Sequence, residues 1–269
     1  MSPLPPTTPT PPIPRDIPGL PAVPGRAALL PSRVPASAVV APARRPGVAA
    51  YRLLVALAAA AAVTIDLVLG SAVRVLSDFA IQSNILLALV LAASARRAWT
   101  ARRPLPPLVT GAALLYALIT GLAHHLLLTD AASPLSLAGG TTDPTGWQAI
   151  SAQILHTVTP IAAALDWLLL TSPGHLHLRQ APTWLLYPLA YLAFSLARGE
   201  LIAPGPPGRY LYPLLDVDHH GYKSVLGNAL LLGLSLYALA ALLVAIDHIR
   251  PNPRHHGTKT GFRLQPPVG

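Results

Sequence analysis

Six continuous apolar stretches, separated by short polar breaks, follow one another from residue 47 onward. They run over about 47–69, 75–95, 106–128, 147–170, 182–200 and 225–246. Each is close to the roughly 20 apolar residues that a helix needs to cross a bilayer. Only 11% of the residues are charged, less than half of the roughly 25% typical of soluble domains. We therefore predict an all-α fold, a polytopic membrane protein with six transmembrane helices.

The two ends of the chain differ from this apolar part. Residues 1–46 hold 14 of the 31 prolines and no apolar period, so we predict a disordered, Pro- and Arg-rich cytoplasmic tail. Residues 47–248 form the predicted transmembrane domain, and residues 249–269 a basic cytoplasmic C-terminal tail. The proline-rich tail is interpreted as a solvated segment, with a ligand for a partner domain as the alternative.

The basic residues predict the orientation of the bundle. If both termini are cytoplasmic, 15 of the 19 basic residues lie on the cytoplasmic side, as the positive-inside rule requires. We therefore expect a multi-pass cell membrane protein with both termini cytoplasmic. Because the net charge of +9 reflects this topology, nucleic acid is not an expected partner.

Metal and cofactor motifs are scarce. The chain has no cysteine, which excludes disulfides, thiolate catalysis and iron–sulfur clusters. The loop at 216–220 combines aspartates and histidines, yet we expect neither a metal nor a cofactor. One alternative is a haem or quinone electron carrier, with His124 or His125 and His156 as axial ligands.

Polar side chains at membrane depth concentrate in the predicted outer half of the bundle. Such groups usually face the interior of a bundle or a water-filled cavity. A polar pocket that opens toward the outer leaflet is the favoured interpretation, and mutual pairing that holds the helices together is the alternative. The residues of this half that we assign to the candidate pocket are Asp78, Gln82, Ser83, Asn84, His156 and Arg198.

His156 is the most informative of these positions because Pro160 follows four residues later. A proline has no N–H and leaves the carbonyl four residues earlier without its helical partner. A kink and a free backbone acceptor are therefore predicted at His156. A histidine in such a place suits a general base or a ligand, or else it hydrogen-bonds across helices as packing.

Several motifs resemble one membrane protein family. They are Phe79-Ala80-Ile81-Gln82-Ser83-Asn84, His156-Thr157-Val158-Thr159-Pro160 with Asp166-Trp167, Tyr187-Pro188 with Arg198-Gly199, and Tyr210-Leu211-Tyr212-Pro213-Leu214-Leu215-Asp216 with Gly221-Tyr222 and Asn228. Over residues 50–250 the chain resembles the androgen-induced protein / androgen-dependent TFPI-regulating protein family, in particular its bacterial six-span branch. The resemblance implies an intramembrane threonine/histidine hydrolase of fatty acid esters of hydroxy fatty acids.

The resemblance implies that His156 corresponds to the catalytic histidine of the family. Ala80 occupies the position of the family threonine. We therefore expect Ser83, one turn along, to be the nucleophile and His156 the general base. Gln82 or Asn84 would stabilise the oxyanion. Asp78 and Arg198 would support the pocket, with Asp78 orienting His156. The expected partners are membrane lipids and a lipid-ester substrate, and the alternative is a non-catalytic lipid-binding or transport-like protein.

Overall fold

The computed structural model describes residues 43–128, 146–203, 209–210 and 212–251. Within these ranges every regular element is helical, in agreement with the predicted all-α fold. Apart from single 3-10 turns, the helices are α1 (Pro46–Leu69), α2 (Ala72–Leu76), α3 (Phe79–Trp99), α4 (Pro107–Ala123), α5 (Trp147–Leu170), α6 (Ala181–Leu201) and α7 (Val217–Ile249). The N-terminal tail predicted over 1–46 and the C-terminal tail over 249–269 lie outside the described residues, except for 43–46 and 249–251.

Five helices of the described part are long and apolar enough to cross a membrane: α1, α3, α4 with its extension to Leu126, α5 and α7. The prediction of six spans is thus confirmed for five. The remaining stretch, predicted over 182–200, is helical, because α6 has 21 residues. It is less apolar than the others because it contains two prolines, two tyrosines and the charged Arg198 and Glu200.

Contacts between helices sort their termini into two ends of the bundle. At one end, where α1 begins and α5 ends, Arg52 and Asp166 form an ion pair of 2.7 Å. At the other, where α3 begins and α6 ends, the Tyr191 hydroxyl donates to the Ser77 carbonyl at 2.9 Å. We call these the Arg52 end and the Asp78 end. Successive long helices run between them in alternating directions.

The centre of the bundle packs large side chains against small ones. Leu87, Leu115 and Trp184 are all 2% exposed or less. The Trp184 ring lies over Gly111 of α4, where a Cβ would come within 2.5 Å of the ring. Any larger residue at position 111 would therefore push α4 and α6 apart. By contrast, α7 presents exposed leucines such as Leu230, as expected for a surface in contact with lipid.

The acidic side chains described at the Arg52 end are neutralised in pairs. In the pair between Arg52 and Asp166, the side chains are only 12% and 11% exposed. Asp247 of α7 is 1% exposed and accepts hydrogen bonds from Arg250 and from the backbone N–H of Leu176. Asp247 therefore ties the end of α7 to the segment between α5 and α6.

Candidate functional site

α5 changes its hydrogen-bonding pattern just before Pro160. Residues Ile154–Val158 form a π-turn, in which the backbone bonds reach one residue further than in an α-helix. Pro160 has no N–H to offer the His156 carbonyl, so regular α-helical bonding is interrupted here in any case. The distortion predicted at this proline is a π-turn, and His156 lies at its centre.

The side chain of His156 packs against α4. Its ring lies parallel to that of His124, with centroids 4.4 Å apart and planes 11° apart. Its buried Nδ1 has no hydrogen-bond partner among the described residues. Nearby, Nε2 of His125 lies 2.9 Å from the Thr157 hydroxyl. His124, His125 and His156 thus form a histidine cluster between α4 and α5.

The geometry of the histidine cluster argues against His124 and His156 as the two axial ligands of a haem. Two axial histidines ligate haem iron through ring nitrogens that point at the metal from opposite faces. His124 and His156 instead lie face to face at 4.4 Å, which leaves no room for a porphyrin between them. Among the residues that the structure describes, no group of three or more His, Cys, Asp or Glu side chains is placed to hold a metal ion.

Ser83, the predicted nucleophile, is fully buried in α3. Its exposed fraction is 0%, and its Oγ has no hydrogen-bond partner in the described ranges. Phe79, one turn earlier on the same helix face, contacts the rings of Tyr116 in α4 and Tyr191 in α6. No hydrogen bond joins the side chains of Ser83 and His156.

Asn84 links α3 to α5. Its Nδ2 donates to the carbonyls of Ala80, at 2.9 Å, and Leu155, at 3.3 Å. Its Oδ1 accepts a hydrogen bond of 2.6 Å from the Thr159 hydroxyl. Both N–H groups of this amide are thus engaged inside the bundle. Ala80, at the place of the family threonine, is 7% exposed and offers no polar side-chain atom.

Gln82 has partners at the Asp78 end. Its Nε2 donates to the Leu76 carbonyl at 2.8 Å, and its Oε1 accepts from the Tyr187 hydroxyl at 2.7 Å. Like Asn84, Gln82 therefore connects helices in this structure, because its bond to Tyr187 joins α3 to α6.

Asp78 caps the N-terminus of α3. Its carboxylate accepts from the backbone N–H groups of Ala80 and Ile81 at 2.7 and 3.2 Å, and from the Tyr212 hydroxyl at 3.1 Å. Burial raises the pKa of Asp78 above its ordinary value, although these hydrogen bonds act in the opposite direction. None of the partners is His156, so Asp78 orients the start of α3 and the segment before α7.

Arg198 lies beside a charged cluster that no sequence motif indicates. It donates to the Arg209 carbonyl at 3.0 Å. The Arg209 guanidinium binds both oxygens of Asp218, at 2.5 and 2.6 Å, and lies 3.8 Å from Glu200. The bond to Asp218 raises the pKa of Arg209, and burial raises the pKa of Tyr210 to about 12. These residues follow no helical period, so only their opposite charges could have indicated the cluster.

Open, mainly apolar grooves lie at the Asp78 end of the described part of the chain. One, of about 210 Å³, lies between the end of α1 and the start of α5. A second, of about 370 Å³, lies between α2 and α6, and we call it the α2–α6 groove. Neither is lined by Ser83 or His156. The α2–α6 groove is lined by Val73, Phe194, Ala197, Arg198, Leu201 and Ile202.

The five long apolar helices and the paired charges at their ends define a polytopic α-helical membrane protein. No protein-family model, curated protein or solved structure significantly matches the chain. The resemblance to the androgen-induced protein family therefore stays a prediction.

Proposed function

We propose that this protein crosses the plasma membrane six times and binds an anionic amphiphile at its outer end. The sixth crossing is assigned to α6. Its Trp184 indole donates to the Leu108 carbonyl at the start of α4, and its Tyr191 hydroxyl donates to Ser77 at the Asp78 end. Its 21 residues span about 31 Å at 1.5 Å per residue, which matches the hydrocarbon core of a bilayer.

The proposed orientation places both termini and the Arg52 end in the cytoplasm, because 15 of the 19 basic residues then lie inside. Reporter fusions after residues 100 and 178 should read as cytoplasmic. Fusions near residues 138 and 215 should read as external. The reverse pattern would contradict the orientation and move the α2–α6 groove to the inner leaflet.

The α2–α6 groove supports the binding proposal. Its apolar walls suit an acyl chain, while Arg198 is the one charged residue among those that line it. A guanidinium has five N–H donors in a planar fork, so a carboxylate or phosphate can bind to it while other partners occupy part of the fork. A long-chain fatty acid, with its carboxylate at Arg198, is the occupant that fits both features.

Photo-crosslinking tests this assignment. A diazirine-bearing fatty acid should label α6 peptides of the native protein. Ala197→Phe fills the groove and Arg198→Gln removes the charge, so both should abolish that labelling. Ala93→Phe, at an exposed position of α3, is the matched control and should label normally. Labelling of α6 that survives Ala197→Phe would contradict binding in the groove. Labelling by a phospholipid probe in place of the fatty-acid probe would show that the occupant carries a phosphate headgroup and not a carboxylate.

A second candidate function is the lipid-ester hydrolase implied by the resemblance. It is favoured by Ser83 Oγ and His156 Nδ1, which are two of the four buried side-chain atoms without a hydrogen-bond partner in the described residues. Such atoms are rare in folded proteins, and a catalytic role is one explanation for them. Ser83 would attack the ester carbonyl while His156 accepts the serine proton. Gln82 or Asn84 could stabilise the oxyanion only by releasing their present acceptors.

A fluorophosphonate probe tests the hydrolase. Ser83→Ala and His156→Ala should each abolish labelling, and the double variant should lose no more, because residues that act as one unit are not additive. Ala80→Thr restores the family residue. If Ala80→Thr creates activity while Ser83→Ala has no effect, the nucleophile belongs at position 80. If no variant is labelled and no hydroxy-acid ester is cleaved, the hydrolase is contradicted and fatty-acid binding remains.

A further inference from the structure

The turn between α3 and α4 is held in one conformation by its own hydrogen bonds. The N–H of Arg102 donates to the Arg97 carbonyl at 2.8 Å. The Arg97 guanidinium in turn donates to the carbonyls of Arg103, at 3.2 Å, and Pro104, at 3.4 Å. We call residues 96–104 the arginine turn. Because Arg97 closes the turn, the remaining arginines project from an ordered backbone.

Ala101, inside this turn, has a φ of 52° and is the one non-glycine residue with a positive φ in the described ranges. The left-handed region is unfavourable for a residue with a Cβ. Backbone strain of this kind persists where neighbouring contacts impose it, and it clusters at ligand-binding sites. The strained turn presents Arg102 and Arg103 as consecutive exposed side chains.

The surface around the arginine turn is strongly basic. The backbone N–H of Arg45 donates to the Ala98 carbonyl at 3.0 Å, which brings the segment before α1 alongside the turn. The two acidic residues described at this end, Asp166 and Asp247, are already paired with other arginines. No ion pair within the described part of the chain neutralises the turn. The exposed arginines at this surface are Arg44, Arg45, Arg96, Arg102 and Arg103.

We propose that the arginine turn binds the phosphate of an anionic phospholipid headgroup at the Arg52 end. The turn joins two apolar spans, so it lies at the depth of the headgroups. Trp99, which ends α3 and is 59% exposed, is of the type enriched at membrane interfaces. Arginine holds phosphate through paired N–H···O bonds. This site lies at the opposite end from the α2–α6 groove and does not depend on the function proposed there.

Lipid titration of the purified full-length protein tests the proposal. Phosphatidylglycerol, added to the protein in neutral detergent, should raise Tm, whereas phosphatidylcholine should not. Arg102→Gln/Arg103→Gln should weaken the apparent affinity roughly thirty-fold, at about five-fold for each basic residue near an anionic surface. Arg74→Gln/Lys223→Gln removes the same charge from exposed positions at the Asp78 end and should leave the affinity unchanged. Equal affinity of the native protein and Arg102→Gln/Arg103→Gln would overturn the proposal.

A charge-conserving variant separates a defined phosphate site from diffuse surface charge. Arg102→Lys/Arg103→Lys keeps the charge, and with it the topology signal, but loses the planar fork. An affinity several-fold below that of the native protein supports the site. Native affinity in this variant would show that net charge alone attracts the lipid and would overturn the phosphate site. The lysine variant decides the matter even if the glutamine variant fails to insert.

Discussion

The imidazole rings of His124 and His156 lie face to face, with centroids 4.4 Å apart and planes 11° apart. Each ring belongs to a π-turn. His124 begins the π-turn His124–Leu128 that extends α4, and His156 lies in Ile154–Val158 of α5. The stack therefore joins two irregular segments of neighbouring helices at one contact.

Loss of this ring contact should destabilise the bundle. His124→Ala removes one ring, and aromatic pairs contribute about 0.5–1.5 kcal/mol beyond the area that they bury. His124→Phe keeps a ring and should retain most of the native stability. Thermal unfolding of the purified variants in one detergent measures the difference. Equal Tm values for the Ala and Phe variants would show that the stack contributes nothing.

The hydrogen bond between Asn84 of α3 and Thr159 of α5 should appear as an energetic coupling between substitutions at these two positions. Thr159→Val leaves the Asn84 Oδ1 without its 2.6 Å partner, and Asn84→Ala removes the acceptor. A double-mutant cycle should give about 0.6–1.7 kcal/mol, the range found for such bonds in membrane proteins. Equilibrium unfolding in mixed micelles measures all four proteins. Strictly additive losses would be inconsistent with this contact.

The ion pair between Arg52 and Asp166 predicts that removal of one charge destabilises the protein more than removal of both. Arg52→Gln leaves a nearly buried carboxylate unpaired, which costs about 3–5 kcal/mol. Arg52→Gln/Asp166→Asn removes both charges and should be more stable than Arg52→Gln alone. Arg74→Gln, at an exposed position, should change the unfolding free energy by less than about 0.5 kcal/mol. A double variant that is less stable than Arg52→Gln would contradict the prediction.

Asp78 predicts a pH dependence of stability. Burial raises its pKa above the ordinary value of 3.8, so ionisation of Asp78 costs folding free energy. The contribution of Asp78 to the free energy of unfolding is fully present below pH 3.8, where the carboxyl is protonated in both states. This contribution is lost as the pH rises through the raised pKa. Asp78→Asn keeps a helix-capping oxygen but cannot ionise. The Tm of this variant relative to the native protein should therefore increase between about pH 4 and pH 8, as measured by differential scanning fluorimetry. A constant difference would contradict the raised pKa.

The apolar stretches predicted most of the fold because burial in a membrane requires long continuous apolar helices. Five spans are confirmed, and α6 forms where the sixth stretch was expected. Two details did not follow from hydropathy. The short helix Ala72–Leu76 has only five residues, too few for a period. α7 begins at Val217, before the apolar stretch, and bends at Gly221, whose φ is 69°.

The candidate site was less predictable because its contacts join distant residues. The distortion at Pro160 is local, since it arises from one missing N–H four residues from His156. The bond between Asn84 and Thr159 spans 75 positions and depends on how α3 and α5 are rotated about their axes. Spacing defines which residues share a helix face but not which face meets which neighbour. The catalytic roles of Ser83 and His156 thus stay predictions.

A π-turn contains one residue more than the α-helical turn it replaces. Three occur in the described parts of α4 and α5, at His124–Leu128, Ile154–Val158 and Asp166–Leu170. In a regular helix, deletion of one residue rotates every later side chain by about 100°. In α5, deletion of one residue within Ile154–Val158 would instead return that turn to α geometry and leave both helix ends in register. This protein should therefore tolerate the loss of one residue at Ile154–Val158, whereas a deletion in a regular part of α5 would turn the rest of the helix away from its neighbours.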